Sequence, residues 1–320
     1  MPAALPHPIP YQGSKRRLAP VIARHFPPAI RTLYEPFAGS AAITLYAARH
    51  ELARRFVLGD SLPAMIELWR GIVESPRETA ARYRLLWSQQ HRQTQHYERV
   101  RERWNRERDP VDLLYLICRC VKNAVRFNAR GEFTQSADRR RSGMRPDRMR
   151  DAIEGASRLL RGRVELRCAD WLQTFADARA SDFIYLDPPY LGTTIGRDKR
   201  YHAQLTRDVL IKGLSGLRAR AVPFALSYDG ATGAKRYGPA LPDQLGLAHL
   251  LLDAGRSAQA TLSGRNERTM ESLYLAATPA HSFAVPSSDR SRLARTRQPA
   301  PRSRIIRPAG TRARDTRRAP

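Results

Sequence analysis

The stretch FIYLDPPYLGTT carries an apolar, strand-like run into Asp187, Pro188, Pro189 and Tyr190. Consecutive prolines cannot donate to a sheet ladder, so a strand must end there. The Asp187 carboxylate and the Pro188 carbonyl then make a stiff pair of acceptors beside the aromatic face of Tyr190. Such a pair suits a flat, amino-bearing group. An exocyclic amine on an aromatic base is a poor nucleophile because its lone pair is delocalised into the ring. Two acceptors on its N–H bonds would localise that lone pair, which is preorganised electrostatic stabilisation rather than strong base catalysis. A plain proline turn explains one isolated Asp-Pro-Pro equally well, so other residues have to decide.

Three further sites bear on the choice. In YEPFAGSAA the small residues Ala38, Gly39, Ser40 and Ala41 stand between a strand and a helix. A turn without bulky side chains lets a ligand reach the backbone and the positive helix N-terminus. Asp60, in FVLGDSL, ends the next strand about 20 residues beyond Gly39, where nucleotide-binding α/β units hold ribose hydroxyls. It is equally placed to cap the helix opened by Ser61-Leu62-Pro63. Asp170 in RCADW also closes a strand, and beside Trp171 it could take an exocyclic amine or cap a helix.

These residues need strands to carry them. Strand, glycine turn, helix, strand describes RTLYEPF, AAITLYAARH and RRFVLGD, the pattern of a parallel βαβ unit. SLPAMIELWRGIV follows with apolar residues at helical spacing, and a short helix is expected over Leu18 to His25. Residues 9–73 thus form a first α/β part. Residues 74–158 change texture: they are helical and rich in Arg, with a buried helix expected over DLLYLICRCVKNAVRFN and a loop over FNARGEFTQSADRRRSGMRP. Residues 159–278 return to α/β, with strands in RVELRCAD, DFIYLDPPY and VPFALSYDG and a helix from Arg207 to Ala219. AGRSAQATLSG and ESLYLAA read as a closing antiparallel hairpin around a Gly-Arg-Asn loop. Residues 279–320 hold few large apolar side chains and are expected to be a disordered basic tail.

The chain has 320 residues, 56 Lys+Arg against 30 Asp+Glu, and a net charge of +26. About +9 of that charge lies in the tail, leaving about +17 for the body, so the basic character is not confined to the tail. Such an excess favours a polyanionic partner, usually nucleic acid. No apolar run approaches the length of a membrane span and none has the build of a signal peptide, so a soluble, cytoplasmic protein is expected. Cys118, Cys120 and Cys168 have no spacing for a disulfide or a zinc knuckle, the histidines are scattered, and no metal site is expected. The first turn lacks GxGxxG, which argues against a dehydrogenase.

At these residues the chain resembles the Dam-type DNA adenine methyltransferases. YQGSKRRL is similar to that family's aromatic-Gly-Gly-Lys opening, YEPFAGSAA to its EPFxGSG cofactor loop, and LGDSL and RCADW to its two strand-end acids. VRFNARGEF resembles a stretch of the family's target-recognition part, IYLDPPY its catalytic motif, and RSAQATLSGRNERTMESLYL its closing strands. The match runs discontinuously from about Tyr11 to Ala277. The order, cofactor motifs, then recognition insert, then catalytic motif, is that of the alpha subgroup. The resemblance implies a Rossmann-like S-adenosylmethionine-dependent fold, mostly parallel with an antiparallel closing strand, plus a small helical target-recognition domain. It implies methyl transfer from S-adenosylmethionine to adenine N6 in double-stranded DNA by base flipping. A cognate restriction endonuclease belongs to the same expectation, as does action as a monomer.

Roles follow from the resemblance residue by residue. Tyr11 and Lys15 would flank the cofactor, with Lys15 near its carboxylate. Phe37 and Gly39 would line the methionine part, Asp60 would hold the ribose, and Asp170 the adenine amine. Asp187 and the Pro188 carbonyl would hold the target amine, with Pro189 stiffening the turn and Tyr190 stacked on the base. Arg126 and Asn128 are the implied base readers, and Arg139 and Arg140 sit in a loop suited to phosphate contact. Two positions depart from the family pattern: Ala41 replaces a second glycine in the cofactor loop and Ser14 replaces a glycine in the opening motif. Two other readings compete. One is an amino-methyltransferase acting on RNA or protein, and the other is a DNA-binding relative without catalysis.

Overall fold

The computed structural model describes residues 4–189, 205–232, 235–236, 239–256 and 268–276. The apolar runs bounded by turn residues become strands: β1 (Ile30–Glu35), β2 (Ala53–Asp60), β3 (Val164–Cys168), β4 (Phe183–Leu186), β5 (Phe224–Thr232), β6 (Lys235–Arg236), β7 (Ala248–Arg256) and β8 (Arg268–Ala276). Among the described residues the sheet order is β3-β2-β1-β4-β5-β8-β7, with β6 paired to β5 off that path. Neighbours from β3 to β5 are parallel. β8 runs antiparallel between β5 and β7. This is the expected mixed α/β fold, mostly parallel with an antiparallel closing strand. β4 is buried throughout and β1 exposes only Arg31, as central parallel strands covered on both faces must be.

The helices among the described residues are α1 (Ala19–Ile22), α2 (Ala42–Arg49), α3 (Pro63–Glu74), α4 (Pro76–Gln89), α5 (His96–Glu107), α6 (Pro110–Arg119), α7 (Pro146–Leu160), α8 (Trp171–Thr174) and α9 (Arg207–Ala219). α3 buries Met65, Ile66, Trp69, Ile72 and Val73, the stripe its spacing predicts. It stops because Ser75 precedes Pro76, which disfavours helical backbone before it and opens α4. Asp109 caps α6 by accepting from Val111 and Asp112 amides. Asp112 is itself buried, with both oxygens on Arg103 of α5 at 2.5 and 2.6 Å.

Two expectations need correction. The helix expected over DLLYLICRCVKNAVRFN ends at Arg119. Cys120 is extended and bridges Ala137, and Lys122 and Asn123 take positive φ of 60° and 52°. A second bridge joins Phe127 to Phe133 around a turn at Asn128–Gly131. Pairing with a distant segment thus overrides the local apolar pattern. The first closing strand begins at Ala248 rather than at the Ala254 of AGRSAQATLSG, because its pairing with β8 runs back through Leu250 and Leu251. The Gly-Arg-Asn loop, Tyr190 and the basic tail lie outside the described residues.

α8 seats closely on its neighbours at two glycines. A Cβ at Gly59 of β2 would stand 2.4 Å from Thr174, and one at Gly213 of α9 would stand 2.3 Å from Trp171. The absence of those two methyls lets Trp171 and its preceding Asp170 reach the end of the sheet.

Candidate active site

Four strands end in acids or lead directly into them: Glu35 closes β1, Asp60 closes β2, Asp170 follows β3 and Asp187 follows β4. The strand order reverses between β1 and β4, the place where open α/β sheets bind ligands beyond their carboxyl ends. A cavity of ≈ 360 Å³ lies there. Its walls include the expected cofactor residues Tyr11, Lys15, Phe37, Gly39, Asp60 and Asp170. They also include Asp187, Pro188 and Pro189 of the opening motif. The cavity brings together residues from seven separate stretches of chain.

The loop after β1 is held from several sides. Gly39 adopts φ 42°, and its amide donates to Asp60 Oδ2 at 3.3 Å. Trp69 Nε1 of α3 donates to the Gly39 carbonyl at 3.0 Å. Asp60 Oδ1 also accepts from the Leu62 amide at 3.0 Å, so this residue holds the turn that leads into α3 while lining the cavity. Ser14, one departure from the family pattern, meets the neighbour of the other, Ala41. Ser40 Oγ donates to Ser14 Oγ at 2.8 Å, tying the opening motif to the loop. Ala41 takes φ 47° and is fully buried, and it is not among the residues lining the cavity.

Ala41 offers no side chain to cap α2, and Glu35 does so from β1: its Oε2 accepts from the Thr44 amide at 2.9 Å. Glu35 is buried, which pushes its carboxyl up to about 7; the Thr44 hydrogen bonds oppose that rise and the nearby Asp187 charge adds to it. Between pH 4.5 and about 7 the folded chain therefore keeps a proton that the unfolded chain has released. Stability from this group is complete below pH 4.5 and is lost as pH rises toward 7, on the order of 3 kcal/mol in all. Glu35→Gln, neutral throughout, is expected to flatten the wild-type decline in stability between pH 5 and pH 8. Urea unfolding at both pH values checks this, and an unchanged slope would remove Glu35 as its source.

Asp187 lies at the mouth of the cavity, 22% exposed, with both oxygens on Lys15 Nζ at 2.8 and 2.9 Å. Burial raises its carboxyl, and the Lys15 charge opposes the rise. The resemblance puts Lys15 beside the cofactor's carboxylate; here its ammonium meets Asp187 while its side chain lines the same cavity. Asp170 accepts from the Leu172 amide and so caps α8, and it also lines the cavity. Phe37 and Trp171 stack with ring centroids 5.9 Å apart, an apolar wall beside Asp170.

The implied base readers are placed less directly. Asn128 spends its side chain in its own turn: Oδ1 accepts from the Arg130 and Glu132 amides and Nδ2 donates to Glu132. Arg139 and Arg140 are exposed, and Arg140 is paired with Asp138. Arg126 is half-buried. Its neighbours Val125 and Phe127 line the cavity instead, which the sequence reading missed. The alternation of apolar and polar residues through Val125-Arg126-Phe127-Asn128 was the available signal. Glu35 and Trp69 were also missed as site residues, since their partners are backbone groups of the loop.

Residues 11–235 match the family model of the D12 class N6 adenine-specific DNA methyltransferases. The chain is 24% identical over 226 residues to the type II methyltransferase M.FokI of Planomicrobium okeanokoites, covering 69% of this chain and 35% of that one. It is 25% identical over 190 residues to a DNA adenine methylase of Vibrio cholerae, covering 58% and 65%. The modification methylase StsI of Streptococcus sanguinis is 27% identical over 199 residues, covering 58% and 29%. The chain thus spans from under a third to about two thirds of the length of these curated relatives.

Proposed function

The chain belongs to the D12 class N6 adenine-specific DNA methyltransferase family, and from that premise we propose that it methylates adenine N6 in duplex DNA with S-adenosylmethionine as donor. The observation that carries this reading is the one cavity joining Asp60 and Asp170 to the Asp187-Pro188 turn. S-adenosylmethionine, when bound, supplies an electrophilic methyl on a positively charged sulfur. The donor set suits it: Glu35, Asp60, Asp170 and Asp187 offer acceptors to a ligand rich in N–H and O–H groups and bearing positive charge.

In this reading Tyr11, Phe37 and Gly39 border the methionine part, Asp60 takes the ribose hydroxyls and Asp170 the adenine amine. The Asp187 carboxylate and the Pro188 carbonyl accept the two N–H bonds of the target amine, and Pro189 keeps that turn stiff. Tyr190, outside the described residues, is assigned the stacking role. The target base has to leave the duplex, since its N6 cannot reach the turn from inside the stack. Residues 74–158, from α4 into α7 with the hairpin between α6 and α7, are assigned to target recognition, with Arg139 and Arg140 on phosphates. The order of motifs along the chain supports the alpha subgroup. Action as a cytoplasmic monomer, beside a cognate restriction endonuclease, goes with the same reading.

Ala41 bears on whether the cofactor loop works. Relief of left-handed strain on Ala41→Gly is expected to offset the lost methyl burial, leaving stability within about 1 kcal/mol. Because the methyl lies off the cavity, affinity for S-adenosylmethionine is expected to stay within about twofold, given that no contact to ligand is removed. Calorimetric titration checks it, and a gain of more than tenfold would show that Ala41 crowds the ligand.

The function itself is tested by transfer of labelled methyl into mixed-sequence duplex DNA, with nucleoside analysis of the product. Label in N6-methyladenine supports the reading. Tight DNA binding without label favours an inactive binding relative, and label only in RNA or protein moves the substrate class.

A further inference from the structure

The ammonium of Lys15 is a meeting point of distant segments. It stands 2.8 and 2.9 Å from the two oxygens of Asp187, 3.0 Å from the Gly13 carbonyl and 3.6 Å from Glu271 Oε2. Its side chain is only 4% exposed. Glu271 belongs to β8, facing Gly230 of β5 and Leu252 of β7; it opens the ESLYLAA stretch, but the sequence reading assigned it no role at the site. The titratable groups around this point are Lys15 from the opening motif, Glu35 from the end of β1, Asp187 after β4 and Glu271 from β8.

An ammonium has three donors. Here the Gly13 carbonyl and the two Asp187 oxygens account for them, with Glu271 adding charge at 3.6 Å, so a cofactor carboxylate would have to displace one. Each carboxylate oxygen has two lone pairs, so Asp187 can accept from Lys15 and still accept from an incoming amine. A carboxylate drawn out of water tends to protonate, and a protonated acid would offer a donor where the target amine needs an acceptor. A cation within hydrogen-bond distance opposes that protonation.

We propose that Lys15, anchored by Gly13 and Glu271, is a positioning residue for the acceptor carboxylate: it keeps Asp187 ionised and fixes the direction of its remaining lone pairs. The proposal rests on the methyl-transfer reading for its effect on rate, but the contact itself can be tested without turnover.

Lys15→Met is expected to lower kcat at least about 30-fold. The acid limb of its pH profile is expected to move up by about one unit or more, because the charge that held Asp187 ionised is gone. Lys15→Arg, which keeps the charge, is expected to bring the limb back toward the wild-type position. Affinity for S-adenosylmethionine, by calorimetry, is expected to change less than about threefold. Urea unfolding of Lys15→Met, Asp187→Asn and the double variant should give a coupling of at least about tenfold in the folding equilibrium. A double variant that folds better than Lys15→Met alone would also support it. Coupling below twofold would overturn the proposal. So would an S-adenosylmethionine affinity loss above tenfold with an unmoved acid limb, which would return Lys15 to the cofactor. A wild-type chain that transfers no methyl sinks the methylation reading alone, and the unfolding cycle still decides the role of Lys15.

Discussion

Asp187→Ala is expected to lower kcat for methyl transfer by about a thousandfold or more, the scale of losing a preorganised group aimed at developing charge. The reason is local. The residue follows the central strand β4 directly and lines the cavity with its carboxylate, beside the stiff Pro188 carbonyl. Removing it leaves one acceptor for an amine with two N–H bonds. Lys15 keeps Gly13 and Glu271 as partners, so the fold is not left with an isolated buried cation. S-adenosylmethionine binding by calorimetry should therefore survive while single-turnover transfer fails. Activity within tenfold of wild type would remove Asp187 from the chemistry and with it the meaning given to the Asp-Pro-Pro turn.

Asp60→Ala is expected to weaken S-adenosylmethionine binding by about 50-fold or more. Its carboxylate is the proposed ribose acceptor, and hydrogen bonds to charged groups are worth about 1.5–3 kcal/mol each. The same carboxylate holds the Gly39 and Leu62 amides, so the loop that borders the ligand loosens as well. Loss of the hydrogen bond to the Leu62 amide alone should cost about 1 kcal/mol of stability. Asp60→Asn separates the two effects: it keeps an oxygen for the Leu62 amide and loses the charge. An Asp60→Ala chain that binds with wild-type affinity would reduce Asp60 to a residue that holds the turn before α3.

Asp60 and Asp170 each had two readings on sequence grounds, ligand acceptor or helix cap. In the fold Asp170 caps α8 and also lines the cavity, so its choice was not exclusive, whereas Asp60 lines the cavity and holds the turn before α3 without capping it. The helix Arg207–Ala219 was legible to the residue, because its spacing and its Thr206 cap are local. The end of α6 was not, because Cys120 leaves the helix to pair with Ala137, and nothing near Cys120 in the chain announces that partner.

By itself the sequence determined the succession of strands and helices and the placing of an acid at each of several strand ends. Periodicity, prolines and glycines act over a few residues, and parallel pairing then needs only that consecutive units stack. The tertiary structure alone decided which side chains meet. Lys15 and Asp187 are 172 positions apart, and Glu271 lies further still. Whether an ammonium faces a ligand or a carboxylate depends on where β4 and β8 fall in the sheet. The direction of the Ala41 methyl, away from the cavity, follows from a left-handed backbone that the composition of the loop does not reveal. Partner choice is a matter of burial and distance among segments that the chain order keeps apart.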